Sequence, residues 1–264
     1  MKIIVCVKQV PAINEVRLDP VTHTIIREGI ESIINPFDTH AIEEALRLKE
    51  KMGGEIIALS MGISSVAELL RQTIALGVDR ACLLSDRAFA GSDTLATSYA
   101  LACGVAKIGG ADLIICGKMA TDGDTAQVGP MLAHNLDLPH LTDVSAIEAV
   151  EQESIICRKL SDDGYLRLRV SLPALITVVK EINVPRLPSI SGLYRGREAH
   201  IPVYSAADVG AKVAHIGLKG SPTKVKRTFV PDLSRICEWL EGSGREQSLA
   251  LLSHLEEKKL LCRQ

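Results

Sequence analysis

The sequence predicts an α/β fold: a parallel sheet covered by helices on both faces, followed by an extended C-terminal arm. Three observations predict it. Short apolar runs without polar alternation recur along the first half of the chain, as strands buried on both faces require. Longer segments of helical period separate them, which is the spacing of βαβ units. Beyond residue 182 both patterns stop, and prolines and basic residues take over.

The first strand is KIIVCV (2–7); one lysine and five apolar residues before Lys8 are too few for a secretory core. A helix is expected at about 36–52, where Asn35 suits the N-cap, Pro36 the first helical position, and Asp38 a capping arrangement. Capping and ligand contact explain these residues equally well. EIIALS (55–60) is the next strand, turning at Ser60-Met61-Gly62 into a helix at about 64–76. RACLLS (80–85) leads to Gly91-Ser92-Asp93-Thr94 and a helix at about 93–108, whose start carries more hydroxyls (Ser92, Thr94, Thr97, Ser98) than a cap needs. DLIIC (112–116) is followed by CGKMATDGDTAQVGP (116–130) and a helix at about 125–136. Between about 141 and 180, YLRLRVSL and PALITVVK read as strands extending or flanking the sheet. The whole is Rossmann-like.

In such a sheet ligands bind beyond the carboxyl ends of the strands, where helix N-termini offer unpaired N–H groups. Gly117 and Gly123 permit close approach of a ligand to the backbone, and Thr121 and Thr125 add hydroxyls. Asp122 and Asp124 would repel a phosphate, so capping, ribose hydroxyls or neighbouring amides are their expected partners. An acidic solvent loop is the plain alternative. With no GxGxxG and no GxxxxGK[ST], neither an ordinary nicotinamide-binding domain nor a P-loop enzyme is expected.

Composition excludes several classes. A net charge of -2 gives no global attraction to nucleic acid, and no apolar run reaches membrane-spanning length, so no membrane insertion and a cytoplasmic setting are expected. The seven cysteines contain no CxxC pair and the seven histidines no HExxH, so reduced packing thiols and no metal site are expected.

From 183 to 231 lie five of the eleven prolines, with Arg186, Arg195, Arg197, Lys212, Lys219, Lys224, Lys226 and Arg227 against Glu198 and Asp208. This segment is expected not to pack as regular α/β. It reads either as a solvated surface loop or as a basic arm lying on a partner. After EGSG, Leu249, Leu252 and Leu255 fall at helical spacing. The expected division is therefore 1–182, an α/β nucleotide-binding domain; 183–231, an extended recognition loop and arm; and 232–264, a helical segment.

The motifs VCVKQVP (5–11), NPFDTHAIEEALRLKE (35–50), SMG (60–62), DRAFAGSDTLATS (86–98) and CGKMATDGDTAQVGP (116–130) together resemble the beta subunit of electron transfer flavoproteins, from Met1 to about Phe229. The resemblance implies a heterodimer with an FAD-bearing alpha subunit. It also implies a second nucleotide in the beta subunit: AMP in ordinary members, or FAD in members that oxidise NADH and bifurcate its electrons. The form DGDTAQVGP, together with DRAFAGSDTLATS, is similar to the second group.

Carried over, Cys6, Lys8, Asn35, Pro36, Asp38, Met61 and Gly62 line the adenosine pocket. Gly117, Thr121, Asp122, Gly123, Asp124, Thr125, Ala126, Gln127 and Val128 wrap ribose and pyrophosphate, and Thr94 and Thr97 meet the phosphates of a flavin. Arg87 and Asp38 are candidates for tuning the flavin. In VPRLPSISGLYRG the resemblance marks a loop docking on an acyl-CoA dehydrogenase-type flavoenzyme, with Ile190 as anchor and Arg186 beside it. Pro188 and Gly192 depart from the family pattern. The implied function is NADH oxidation in complex with the alpha subunit. Electrons pass through the alpha-subunit FAD to the dehydrogenase and to ferredoxin or flavodoxin, with no catalytic residue in this chain. The alternatives are an AMP-binding, non-bifurcating subunit and a stand-alone ATP-binding regulatory domain.

Overall fold

A computed structural model describes residues 1–12, 31–224, 226, 237 and 239–261. Arg227, Phe229, Pro231 and Cys262, together with 232–236, lie outside the described residues. In chain order the elements are β1 Lys2–Cys6, β2 Gln9–Pro11, β3 Ser32–Ile34, α1 Pro36–Met52, β4 Glu55–Met61, α2 Val66–Leu76, β5 Arg80–Leu84 and α3 Thr94–Ile108. There follow β6 Leu113–Gly117, α4 Val128–Asn135, β7 His140–Val150, β8 Ser154–Ser161, β9 Gly164–Ser171, β10 Ala174–Val178, α5 Ile190–Glu198, β11 Val203–Tyr204, α6 Gly217–Gly220 and α7 Gly244–Glu257.

The main sheet runs β11-β5-β4-β1-β6-β10-β7-β8-β9, parallel from β11 through β7 and antiparallel through β8 and β9. The unbroken apolar runs occupy its centre: Ile3, Ile4, Val5, Ile114 and Ile115 are fully buried. Alternate residues of β1 serve opposite faces. Ile3 and Val5 pack with α1 and α2, whereas Ile4 and Cys6 pack with α3 and α4. From β1 the chain builds outward to β4 and β5 on one side, then returns to place β6 on the other. This reversal leaves a crevice at the carboxyl ends of β1 and β6.

One compact unit runs from Met1 to Lys226, and Arg227–Gln264 forms a second. The segment expected as an arm that cannot pack as α/β is therefore ordered over much of its length and belongs to the first unit. α5 lies against α2, and β11 extends the sheet beyond β5. Ser189 starts α5 by accepting a hydrogen bond from the Gly192 amide at 3.0 Å. Gly192 and Gly196 let α5 approach α2, since a Cβ at these positions would lie 2.2 Å from the Ala75 carbonyl oxygen and 2.6 Å from that of Arg71. The departure at Gly192 thus has a packing cause. In the second unit α7 is capped by a Ser243/Glu246 box, and Leu249 and Leu252 are exposed. No helix among the described residues is long and apolar enough to cross a membrane.

Candidate functional site

A cavity of about 380 Å³ opens at the crevice, within the range of small-molecule sites. Its walls are the ends of β1 (Cys6, Val7, Lys8), β4 (Leu59, Met61) and β6 (Cys116, Gly117), the starts of α1 (Asn35, Asp38), α3 (Asp93, Thr94, Thr97) and α4 (Val128, Gly129), and the loop before α4.

Asn35 and Asp38 act differently from the capping expected of them. The N-cap side chain of Asn35 makes no cap hydrogen bond. Its Nδ2 instead donates to the Met119 carbonyl at 2.9 Å, and its Oδ1 accepts from the Thr121 amide at 3.1 Å. Asp38 is buried and accepts from the Lys8 amide at 2.8 Å. Burial pushes its carboxyl up to about 7, against the opposing pull of the Lys8 amide, the Asn35 side chain and the Gly117 amide. A Cβ at Gly117 would lie 2.4 Å from Asp38 Oδ1, so only glycine admits this contact. Lys8 Nζ reaches over the loop to Asp122 Oδ1 at 2.6 Å.

The helix expected from about 125 begins at Val128 because Asp124 and Ala126 take left-handed backbone angles, φ 49 and φ 53. Gln127 supplies no side-chain cap to α4, and among the described residues the amides of Thr125, Ala126, Gln127 and Val128 meet no acceptor. This donor set fits phosphate oxygens. Gly123 has no atom within 4 Å of where its Cβ would stand.

The α3 terminus is closed by its own chain. Asp93 accepts from the Ala96 amide at 3.0 Å and from the Thr223 amide and hydroxyl at 3.1 and 2.8 Å. Burial pushes the Asp93 carboxyl up, but these donors hold it below its usual range, so a negative charge sits at this wall. Thr94 Oγ1 donates to Gln127 Oε1 at 3.0 Å and ties α3 to the loop. The run of unpaired amides lies at α4, and Thr94 and Thr97 of α3 line the cavity beside it.

Of the expected residues, Cys6, Lys8, Asn35, Asp38, Met61, Thr94, Thr97, Gly117, Gly123, Thr125, Ala126, Gln127 and Val128 line the cavity. Pro36, Gly62, Thr121, Asp122, Asp124 and Arg87 are not among the lining residues, and Asp122 and Asp124 are exposed. The Gly62 amide donates to the Leu84 carbonyl at 3.0 Å. Asp93 and Cys116 line the cavity without being among the expected site residues, and Lys118, inside the run Gly117 to Val128 that the resemblance sets around ribose and pyrophosphate, lines it too. Cys116 faces Cys6 across paired strands, and that contact together with burial pushes its thiol up. Lys118 pairs with Asp143 at 2.8 Å, a partner so distant in sequence that spacing gave no signal.

Of the two residues expected at a partner surface, Ile190 is 89% exposed at the start of α5. Arg186 is instead bound within the chain, to Glu43 and Glu50 of α1.

The pattern of the electron transfer flavoprotein domain matches residues 22–209. The chain is 45% identical over 262 residues to the electron transfer flavoprotein subunit beta of Thermoanaerobacterium thermosaccharolyticum, covering 99% of this chain and 100% of that protein. It is 44% identical over 263 residues to the caffeyl-CoA reductase-Etf complex subunit CarD of Acetobacterium woodii, covering 99% and 100%. To protein FixA of Bradyrhizobium diazoefficiens it is 47% identical over 256 residues, covering 94% and 89%.

Proposed function

The chain belongs to the electron transfer flavoprotein family as a beta subunit, and from that premise we propose that its cavity holds a second FAD and that, with the alpha subunit, it takes electrons from NADH. The observation that carries the nucleotide site is the run of unpaired amides from Thr125 to Val128 beside a crevice at the reversal of strand order. A flavin bound there would supply the redox chemistry, exchange of electrons with NADH and with two acceptors. One route leads through the alpha-subunit FAD to an acyl-CoA dehydrogenase-type flavoenzyme, the other to ferredoxin or flavodoxin.

The chain's own residues bind and orient. The α4 amides receive the pyrophosphate, and the Asn35 and Lys8 contacts hold the loop over it. Cys6, Asp38 and Met61 form the wall of the adenosine end. Thr94 and Thr97 face the remainder of the cofactor with hydroxyls rather than a free helix terminus. Ile190 belongs to the surface that meets the dehydrogenase. A CoA-thioester reductase in the name of the CarD relative supports a partner of that class.

A structural AMP is the second reading. It is favoured by the Asp93 carboxylate, which closes the α3 terminus to a second phosphate-bearing extension. The test is anaerobic addition of NADH to the purified heterodimer. Bleaching of the flavin absorbance by NADH, at more than one flavin per heterodimer, is expected. A single flavin that NADH leaves oxidised contradicts the FAD reading.

A further inference from the structure

Residues 183–189 form no helix or strand, and within them Pro185 and Pro188 fix φ near the polyproline value. Ser189 closes the segment at φ -76, ψ 162, in the same region. Along this segment residues three apart share a side: Asn183 and Arg186 bond to α1, whereas 184, 187 and 190 face away from it. The burial follows that division: Val184, Leu187 and Ile190 are 79%, 89% and 89% exposed, whereas Asn183 is buried.

The inward side is bonded to α1. Asn183 Nδ2 donates to the His40 carbonyl and to Glu44 Oε2, both at 3.0 Å. The Arg186 amide and Nε donate to Glu43 Oε2 at 3.2 and 2.8 Å, and Nη2 donates to Glu43 Oε1 at 3.1 Å. Nη1 and Nη2 donate to the two Glu50 oxygens at 2.5 and 3.2 Å. Four of the five guanidinium N–H groups are thereby engaged. Glu50 first and Glu43 second raise the affinity of Arg186 for its proton, so its charge is fixed. One guanidinium N–H is left for another protein, although 34% of the side chain is exposed.

We propose that Arg186 is a positioning residue: by bridging Glu43 and Glu50 it holds the 183–190 segment with Val184, Leu187 and Ile190 outward as one apolar ridge for the partner flavoenzyme. This rests on the reading of Ile190 as part of the docking surface. Glu43 is buried and also takes Arg47 Nε at 2.8 Å, so it acts on a partner only through the segment it anchors. Lysine cannot replace the fork, because a single ammonium placed like Nη2 has no counterpart to the Nε bond to Glu43 or the Nη1 bond to Glu50 and so loses the paired grip on each carboxylate.

The experiment measures reduction of a purified acyl-CoA dehydrogenase-type partner by the heterodimer against partner concentration, with nucleotide content measured in parallel. The variants are Ile190→Ala, Arg186→Ala, Arg186→Lys, Glu43→Gln and Arg186→Ala/Glu43→Gln. Arg186→Ala is expected to raise the KM for the partner about tenfold, the scale of a lost charge-assisted hydrogen bond, with kcat and nucleotide content retained. Glu43→Gln raises KM in the same direction, the double variant is no worse than Arg186→Ala, and Arg186→Lys does not restore it. A raised KM for Arg186→Ala with Glu43→Gln at the wild-type value makes Arg186 a direct contact and overturns the proposal. So does an unchanged KM for Arg186→Ala alongside an impaired Ile190→Ala. An unchanged Ile190→Ala instead removes the docking reading itself. Should Arg186→Ala fail to fold, Glu43→Gln and Glu50→Gln carry the test through the same KM.

Discussion

The carboxamide of Asn35, at the head of α1, grips the loop after β6 at Thr121: Oδ1 accepts the Thr121 amide at 3.1 Å while Nδ2 holds the Met119 carbonyl two residues earlier. One side chain thus fixes both directions of a loop that offers its amides to the cavity. Asn35→Ala is expected to lower affinity for the beta-subunit nucleotide about tenfold through loss of two hydrogen bonds at a loop that must be preorganised. Asn35→Asp keeps the acceptor but sets a carboxylate against the Met119 carbonyl, and is expected to do no better. Equilibrium binding of nucleotide to stripped heterodimer checks both.

Gly117 and Gly123 separate the fold from the ligand. A Cβ at 117 meets Asp38 Oδ1 at 2.4 Å and the Phe37 carbonyl carbon at 2.7 Å, so Gly117→Ala is expected to cost about 1–3 kcal/mol of stability. At 123 a Cβ meets nothing within 4 Å, so Gly123→Ala leaves thermal stability of the nucleotide-free complex unchanged. If the ligand approaches the backbone at 123, the same substitution weakens nucleotide binding. Paired melting and binding measurements separate the two effects.

Asp38 gives a pH dependence of defined sign. Its carboxyl is raised from 3.8 to about 7 in the fold, so between these values the native state holds a proton that the unfolded chain has lost. Stability from this group is therefore fully present below about 3.8 and is lost as pH rises from there through about 7. Asp38→Asn removes the titration, so the melting temperature of the variant relative to wild type is expected to rise with pH between about 4 and 7 and to level off above. A difference that is flat across that window contradicts the assignment.

The hydroxyls of α3 test cofactor identity. Thr94→Val with Thr97→Val removes the bond to Gln127 Oε1 and one further hydroxyl at the cavity wall. With FAD in this subunit, the double variant depletes the beta-subunit flavin and spares the alpha-subunit flavin. Equal loss from both subunits, or from neither, counts against a flavin at this wall.

Strands such as Lys2–Cys6 were legible because burial on both faces leaves no polar residue in the run, and the helices at 36–52 and 94–108 because their apolar period is carried by side chains. α5 was not legible for the opposite reason. Its contact with α2 is made by Gly192 and Gly196, so the packed face has no apolar stripe to read. The site shows the same contrast. Hydroxyls and glycines clustered in sequence disclosed the crevice, but what each does depends on distant partners, such as Asn35 with Thr121 or Arg186 with Glu43. The closure of the α3 terminus depends on Ser221 and Thr223, which only the fold brings to Asp93.

The most direct measurement is the nucleotide content of the heterodimer: co-expression with the alpha subunit, denaturation of the purified complex, and identification and counting of the released nucleotides by chromatography. Two FAD and no AMP per heterodimer is the result expected if the Thr125–Val128 amides cradle a flavin pyrophosphate. One FAD and one AMP contradicts it, leaving the same amides as the clasp of a structural nucleotide and the subunit as the scaffold of a simple electron carrier.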